Sequence, residues 1–247
     1  MAMANLMYNQ LAKYTDLLYS SKDYQKEVDF ILRRIKESNL SGKILTDVAC
    51  GSGNHAKIFQ KYGYQVYGVD LNQGMLNLAR KNVPKIKLYR QDLRKLDLKI
   101  KADVILCMFN SINYNFSYSQ LKSTLKLFHR HLNRRGMVVF DTMFTEDNWV
   151  EGYFGAEQFR FLKLDLSRIS KSSSKNNIGT VDQTYVIFDH GKKKIFENVN
   201  QLFIFDKNKI KKLMEEVGFR TKLYNNFSDG GEKISDFPVT VFVGIKG

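Results

Sequence analysis

Apolar residues recur along this chain with two periods, and the switch between them divides it. Over residues 22–37, KDYQKEVDFILRRIKE, the positions Val28, Ile31, Leu32 and Ile35 fall on one stripe at helical spacing and predict a helix lying on a sheet. Residues 5–20, NLMYNQLAKYTDLLYS, keep the same spacing but add Tyr8, Tyr14 and Tyr19. Their aromatic faces and hydroxyl tips suit either a helix that closes over a cleft or ordinary half-buried packing. From Lys43 short apolar strands alternate with helices: strands at Lys43–Ala49, Gln65–Asp70, Ile86–Tyr89, Ala102–Phe109 and Met137–Asp141, and helices near His55–Lys61, Met75–Lys81 and Ser117–Leu132. Such alternation predicts right-handed crossovers and a parallel sheet covered on both faces, with ligands beyond the carboxyl ends of its strands.

Between Trp149 and Phe205 the period falls to two, in FRFLKLDLSRIS, TVDQTYVIFD and KIFENVNQLFIF, with His190-Gly191 as a hairpin turn. This predicts an antiparallel meander inserted after the fifth strand, with the polar tract Ser170–Asn177 as a loop. Asp206 and Gly218 read as the N-cap and C-cap of a last helix, NKIKKLMEEV, which two terminal strands in RTKLYNNF and VTVFVGIKG follow across the loop DGGEKISDFP. Three parts result: a helical cap over 1–40, a core over 41–148 and 202–247, and a β insertion over 149–201.

Candidate chemistry concentrates in KILTDVACGSGNH, Lys43 to His55. A buried strand breaks into Gly51-Ser52-Gly53 just before a helix, so that backbone without a Cβ, and the free N–H groups of a helix start, can approach a ligand. A nucleoside-containing cofactor suits this arrangement. Gly51-x-Gly53-x-x-Ala56 with Asp70 downstream also meets the relaxed dinucleotide fingerprint, so a nicotinamide cofactor competes at this point. Asp47 reads as ordering the glycine loop by hydrogen bonding, His55 as a structural residue more than a catalytic one, and Asp141 as either a proton or amine acceptor or a loop-fixing group.

Composition adds less. The 39 Lys and Arg against 25 Asp and Glu give a formal charge of +14, which draws phosphate-rich partners such as a nucleotide-sugar or RNA. The lysines are spread along the chain without an RNA-binding module, so nucleic acid is the less favoured partner. Neither a signal peptide nor a membrane-spanning run is recognisable, and an intracellular, cytoplasmic protein is expected. Cys50 and Cys107 read as small buried hydrophobes, and the four histidines form no metal site.

Taken together, Asp47-x-Ala49-x-Gly51-x-Gly53, VYGVDLN ending the second strand and YRQDL after the third resemble the class I methyltransferases that use S-adenosylmethionine. The resemblance implies an α/β fold: a Rossmann-like seven-stranded sheet whose last strand runs antiparallel, with the β insertion after strand five. Met7-Tyr8, AKYTDLLY, DVACGSGNH, CMFNSINY, SRIS, FENVNQLFIF and the final FVG are together similar to the nucleotide-amino-sugar N,N-dimethyltransferases of the desosamine type. The segment after strand five, Asp141-Thr142-Met143-Phe144, lacks the tryptophans of that pattern, and Asp229 to Pro238 is longer.

The likeness implies S-adenosylmethionine as cofactor and N-methylation of a small amine. Ala49, Gly51, Ser52 and Gly53 would meet the methionine end, and Asp70 the ribose, with Leu71 and Met75 beside it. Gln91, Asp92 and Leu93 would frame the adenine, Met108 and Phe109 the sulfonium, and Tyr19 would cover it. Acceptor contacts would come from Tyr14, Asn113, Tyr114, Trp149 and Arg168, with Tyr14 as the orienting hydroxyl at the amine and Arg168 as either a fork for a diphosphate or an exposed strand residue. Glycine/sarcosine-type N-methyltransferases and RNA methyltransferases share the core and stand as alternatives. A homodimer is compatible with all of them.

Overall fold

In the computed structural model, residues 11–162, 164–230 and 238–247 are described. The Met7-Tyr8 motif and most of the loop DGGEKISDFP fall outside them. The described elements are α1 (Ala12–Leu18), α2 (Tyr24–Glu37), β1 (Ile44–Val48), α3 (Asn54–Lys61), β2 (Gln65–Asp70), α4 (Gln73–Asn82), β3 (Lys87–Arg90), β4 (Ala102–Cys107), α5 (Tyr118–His131) and β5 (Leu132–Thr142). They continue with β6 (Phe154–Phe161), β7 (Leu164–Lys175), β8 (Ile178–Asp189), β9 (Lys192–Phe203), α6 (Lys207–Val217), β10 (Phe219–Asn225) and β11 (Thr240–Lys246).

Seven strands form one sheet in the order β10-β11-β5-β4-β1-β2-β3. β1 pairs in parallel with β2 and β4, and β11 lies antiparallel to β5. The chain leaves β1 towards β2 and later returns to β4 on β1's other side. The crevice above β1 and β4 is therefore the switch point at which this architecture binds ligands. On one face of the sheet, Val28, Phe30, Ile31 and Ile35 of α2 pack with Ala56 and Phe59 of α3; on the other, α5 and α6 bring Leu121, Leu125, Phe128, Ile210 and Met214. Each fully buried side chain of this kind contributes about 1.5–3 kcal/mol.

The caps are as the sequence expects: Asp206 accepts from the Asn208 and Lys209 amides, and Gly218 ends α6 at φ 107°. Asp23 caps α2 through the Lys26 amide.

The meander differs from its expected form. FRFLKLDLSRIS is not one strand but parts of two, β6 and β7, which turn at Leu162, so the second sheet has four strands in the order β6-β7-β8-β9. No glycine or proline marks that turn. The tract Ser170–Asn177 is mostly strand as well: β7 stays in register with β8 as far as Lys175↔Ile178, and only Asn176 and Asn177 turn, both at positive φ. An Asn-Asn pair in the left-handed region makes the tight hairpin that follows the twist of the strands. Leu166, Tyr185 and Ile187 on the inner face of this sheet pack against Leu11, Tyr14 and Leu18, so α1 is clasped between the two sheets.

No helix among the described residues is long and apolar enough to cross a membrane.

Candidate functional site

The glycine loop leaves β1 with Ala49, Gly51 and Gly53 all in the left-handed region, at φ 59°, 54° and 85°. The Cys50 amide continues the ladder to the Val69 carbonyl at 2.9 Å, and the Gly53 amide closes the turn on the Cys50 carbonyl at 3.0 Å. The two glycines serve different ends. A Cβ on Gly53 would stand 2.6 Å from Val83 Cγ2, whereas one on Gly51 would meet nothing within 4 Å. Gly53 lets helix and loop pack; Gly51 offers bare backbone to open space.

Asp70 ends β2 and binds this loop directly. Its Oδ2 accepts from the Gly51 amide at 2.9 Å and its Oδ1 from the Asn72 amide at 2.8 Å. A carboxylate has about four acceptor positions, so the two main-chain donors, with a long contact from Asn72 Nδ2 at 3.5 Å, leave it able to accept from ribose hydroxyls. Burial pushes its pKa up, opposed by the bonds from Asn72 and Gly51. Asp47, expected to order the loop, does not: its Oδ2 is buried without a partner, and burial raises its carboxyl to about 6. The Gly51 amide of that loop donates to Asp70 instead.

Around the opening, Leu71 and Phe109 are exposed at 53% and 42%, while Met75, Met108, Leu93 and Ser52 are buried. Phe109 and Asn110 both sit at φ 61°. Left-handed backbone at a bulky residue costs energy and persists only where its surroundings impose it. Here Asn110 Oδ1 accepts from the Met143 amide at 2.6 Å and the Asn110 amide reaches Asp141 Oδ1 at 3.4 Å. Asp141 thus fixes the loop that presents Phe109; burial raises its carboxyl to about 6.

In the third loop, Gln91 clamps Asp97 through both its amide and its carbonyl, each at 2.9 Å. Asp92 grips Arg94 at 2.6 Å and caps the turn Leu93–Lys95. Burial alone would raise the Asp92 carboxyl, but the bonds from Arg94 outweigh it and hold it below the usual range.

Over the crevice lie α1 and the second sheet. Tyr19 sets its ring edge on Phe109, with centroids 4.7 Å apart, and the Arg168 guanidinium lies 5.5 Å over the Tyr19 ring. Tyr14 is buried and donates to Asp189 Oδ2 at 2.7 Å. Arg168 is not an exposed strand residue; it is largely enclosed and its Nε donates to Glu157 at 2.7 Å. A diphosphate would have to displace or join that carboxylate.

The other residues expected at the acceptor are engaged within the protein. Asn113 is fully buried and its amide bridges the Phe144 and Phe203 carbonyls at 3.0 and 2.8 Å, so it ties the crevice wall together from behind. Tyr114, half-buried at the end of the same turn, accepts Arg94 on its carbonyl at 3.4 Å. Trp149 packs on Phe144 and against Gly179, and its indole donates to Glu151 at 2.9 Å. The structure thus brings Tyr14, Tyr19 and Arg168 together without Trp149.

Sequence reasoning missed a buried polar group under the site. His55 Nε2 lies 2.7 Å from Glu27 Oε2, and Lys22 pairs with the other oxygen while its ammonium stands 5.0 Å over the Phe109 ring. Burial opposes both charges, yet the mutual bond holds Glu27 below and His55 above the ordinary values. Only an unexpectedly buried Glu on the face of α2 that otherwise carries Val28 and Ile31 could have signalled the pair.

Removing one partner of such a buried pair costs about 3–5 kcal/mol, or roughly 10 °C in Tm for a chain of this size. Glu27→Gln is expected to show that loss. The contribution of His55 is complete below its ordinary value and fades as pH rises through the raised one. That of Glu27 is complete above its ordinary value and fades as pH falls through the lowered one. The deficit should therefore be largest between about pH 4.3 and 6.5 and shrink above that range, where Lys22 alone still pairs with Glu27. Thermal melts of both proteins across pH test this; a deficit that grows with pH would contradict it.

Bare backbone at Gly51, a carboxylate with acceptor capacity at Asp70 and exposed apolar flanks at Leu71 and Phe109 fit a nucleoside with an amino-acid tail. The comparisons agree. A family described as "Methyltransferase domain" matches residues 45–136. The dTDP-3-amino-3,4,6-trideoxy-alpha-D-glucopyranose N,N-dimethyltransferase of Streptomyces venezuelae is 27% identical over 210 residues, 84% of this chain and 89% of that one. The crystal structure of Streptomyces venezuelae DesVI superposes with a TM-score of 0.85 at 26% identity, covering 96% of this chain and 98% of that one. The fold is also shared with S-adenosylmethionine-bound CalS10, an amino pentose methyltransferase from Micromonospora echinaspora, at TM-score 0.79 and 22% identity, over 92% of both chains.

Proposed function

We propose that this chain, a class I S-adenosylmethionine-dependent methyltransferase, methylates the amine of a nucleotide-linked amino sugar. One observation carries the choice of acceptor. The second sheet and α1 form the roof of the crevice, and the superposition on DesVI covers 96% of the chain. The 4% left over is far too short to be the four strands between Phe154 and Phe203, so the likeness extends to the part that overhangs the acceptor. The relative from Streptomyces venezuelae is named for a dTDP-linked amino sugar, and that class of acceptor is carried to this chain here.

The bound cofactor supplies a methyl group on a sulfonium, which a neutral amine displaces in line; the protein's task is alignment and exclusion of water. Asp70 holds the ribose, and Gly51 admits the methionine end. Phe109, held in its strained conformation by Asn110, Asp141 and Met143, and covered by Tyr19, closes the apolar side of the reaction centre. Tyr14, whose hydroxyl is fixed by donating to Asp189, is the orienting hydroxyl at the amine. Lys192 and Lys194, exposed and paired with Asp189 and Ile187 on the face of the second sheet that packs on α1, draw the diphosphate. A small acceptor of this kind needs no membrane, and the enzyme works in the cytoplasm. The outer face of the same sheet, where Phe154, Phe188 and Ile195 are exposed, is available to a second copy.

The test is turnover with S-adenosylmethionine on three acceptors: a dTDP-linked amino sugar, sarcosine and an unfractionated RNA, read by mass spectrometry. Mono- and dimethylated sugar are expected. Turnover of sarcosine or RNA, with none on amino sugars of any ring position, would refute the assignment while leaving the cofactor chemistry intact.

A further inference from the structure

Asp16 of α1 occupies a position that the roles above leave unexplained. Its Oδ1 accepts from the Ser52 hydroxyl and from Asn54 Nδ2 at 3.1 Å, and its Oδ2 from Asn82 Nδ2 at 3.3 Å. Asn82 also donates to the Ser52 carbonyl at 3.1 Å, so α1, the glycine loop, α3 and α4 meet at this one carboxylate. All of these donors are neutral. Among the described residues no Lys, Arg or His forms an ion pair with Asp16, in a chain carrying 39 Lys and Arg. Among the described residues this half-buried carboxylate is therefore solvated by neutral dipoles alone, and it lacks a counter-ion there.

What it faces narrows the missing cation. Ser52 and Asn54 flank Gly53, and Gly51 beside them has open space where its Cβ would be. Asp70 already holds the other end of the loop through the Gly51 amide, which places the ribose function there and the amino-acid function at Ser52 and Asn54. An S-adenosylmethionine tail carries two charged groups besides the sulfonium. Its carboxylate would be repelled by Asp16. Its ammonium has three N–H donors, carries the opposite charge and meets a carboxylate whose Oδ2 accepts one bond and has an acceptor position left.

We infer that Asp16 binds the α-ammonium of the cofactor's methionine end. The inference rests on the cofactor reading and deepens it. Cofactor arrival then also fastens α1, and with it Tyr14 and Tyr19, which lie within one turn of Asp16: the roof over the acceptor is completed by the tail of the methyl donor. A carboxylate serving merely as a clip between α1 and the loop would hold the same three neutral donors but would not distinguish ligands that differ at the amino group.

Calorimetric titration of S-adenosylhomocysteine and of its deamino analogue, which keeps the carboxylate, separates these roles. The wild-type protein should lose about ten- to a hundredfold in affinity on passing to the analogue. Asp16→Asn, which keeps an acceptor oxygen, should lose a similar factor for S-adenosylhomocysteine and essentially nothing for the analogue. Equal weakening of both ligands, or of neither, would overturn the inference and leave a clip. Failure of the wild-type protein to bind either ligand would instead sink the cofactor assignment, and this inference with it. Should the variant fold poorly, hydrogen exchange of the wild-type α1 amides decides: S-adenosylhomocysteine should protect them and the deamino analogue should not, and equal protection by the two would overturn the role given to Asp16.

Discussion

Replacing Asp70 by alanine is expected to abolish measurable cofactor affinity while leaving the folded protein almost as stable as before. Each charge-assisted hydrogen bond to a ribose hydroxyl contributes about 1.5–3 kcal/mol, so losing two raises the dissociation constant by about a hundredfold to ten-thousandfold. Stability responds differently because two effects oppose each other. Burial raises the Asp70 pKa, so ionised Asp70 is an energetic burden on the ligand-free protein at neutral pH, and its removal relieves that burden. Against this, the Gly51 and Asn72 amides lose their acceptor. Tm should shift by no more than a few degrees, whereas the rise in Tm that S-adenosylhomocysteine induces in the wild-type protein should vanish.

The sign of the pH dependence follows. A ligand that binds ionised Asp70 loses affinity as pH falls through the raised value, so weakening should begin above the ordinary carboxylate range near 3.9. Titration calorimetry at several pH values checks both parts. Affinity unchanged in Asp70→Ala would mean that the ribose is held elsewhere.

Why the place of Asp70 is legible in the sequence and that of Asp16 is not is a matter of distance along the chain. Strand, glycine turn and helix are local, and the alternation from Ile44 to Thr142 encodes them in apolar spacing. The switch point follows from connectivity, and with it the places of the glycine loop, Asp70 and Phe109. Asp16 meets Ser52 across 36 positions, and Glu27 meets His55 across 28. Neither pairing leaves a periodic trace, because a polar residue on a helix looks the same whether it faces water or a partner. The same reasoning explains the meander. Leu162 turns without glycine or proline, and the serines of β7 gain strand geometry from the β8 ladder, joined as far as Lys171 by that of β6, not from their own preference. Asn113 follows the same rule: its place after β4 is local and legible, whereas the carbonyls of Phe144 and Phe203 that its side-chain amide meets lie 31 and 90 positions away.

The two glycines of the loop offer the sharpest separation of folding from binding. Gly53→Ala places a Cβ 2.6 Å from Val83 Cγ2 at a residue with φ 85°. Left-handed backbone costs alanine about 1–2 kcal/mol, and overpacking against a buried side chain adds about 1–3 kcal/mol. Val83 is fully buried and has nowhere to withdraw, so the losses add, and Tm should fall by roughly 5–15 °C. Gly51→Ala carries the same backbone penalty at φ 54° but meets no atom within 4 Å, so its stability loss should stop at the smaller figure. Its Cβ instead enters the space through which the cofactor approaches the main chain, and affinity for S-adenosylhomocysteine should fall at least tenfold in a protein that still melts cooperatively. Gly53→Ala, once folded, keeps that approach open and should lose proportionately less affinity than stability. Thermal melts and titrations of the two variants side by side give the comparison. If Gly51→Ala bound the cofactor as tightly as the wild-type protein, the bare backbone at that position would have no part in the site.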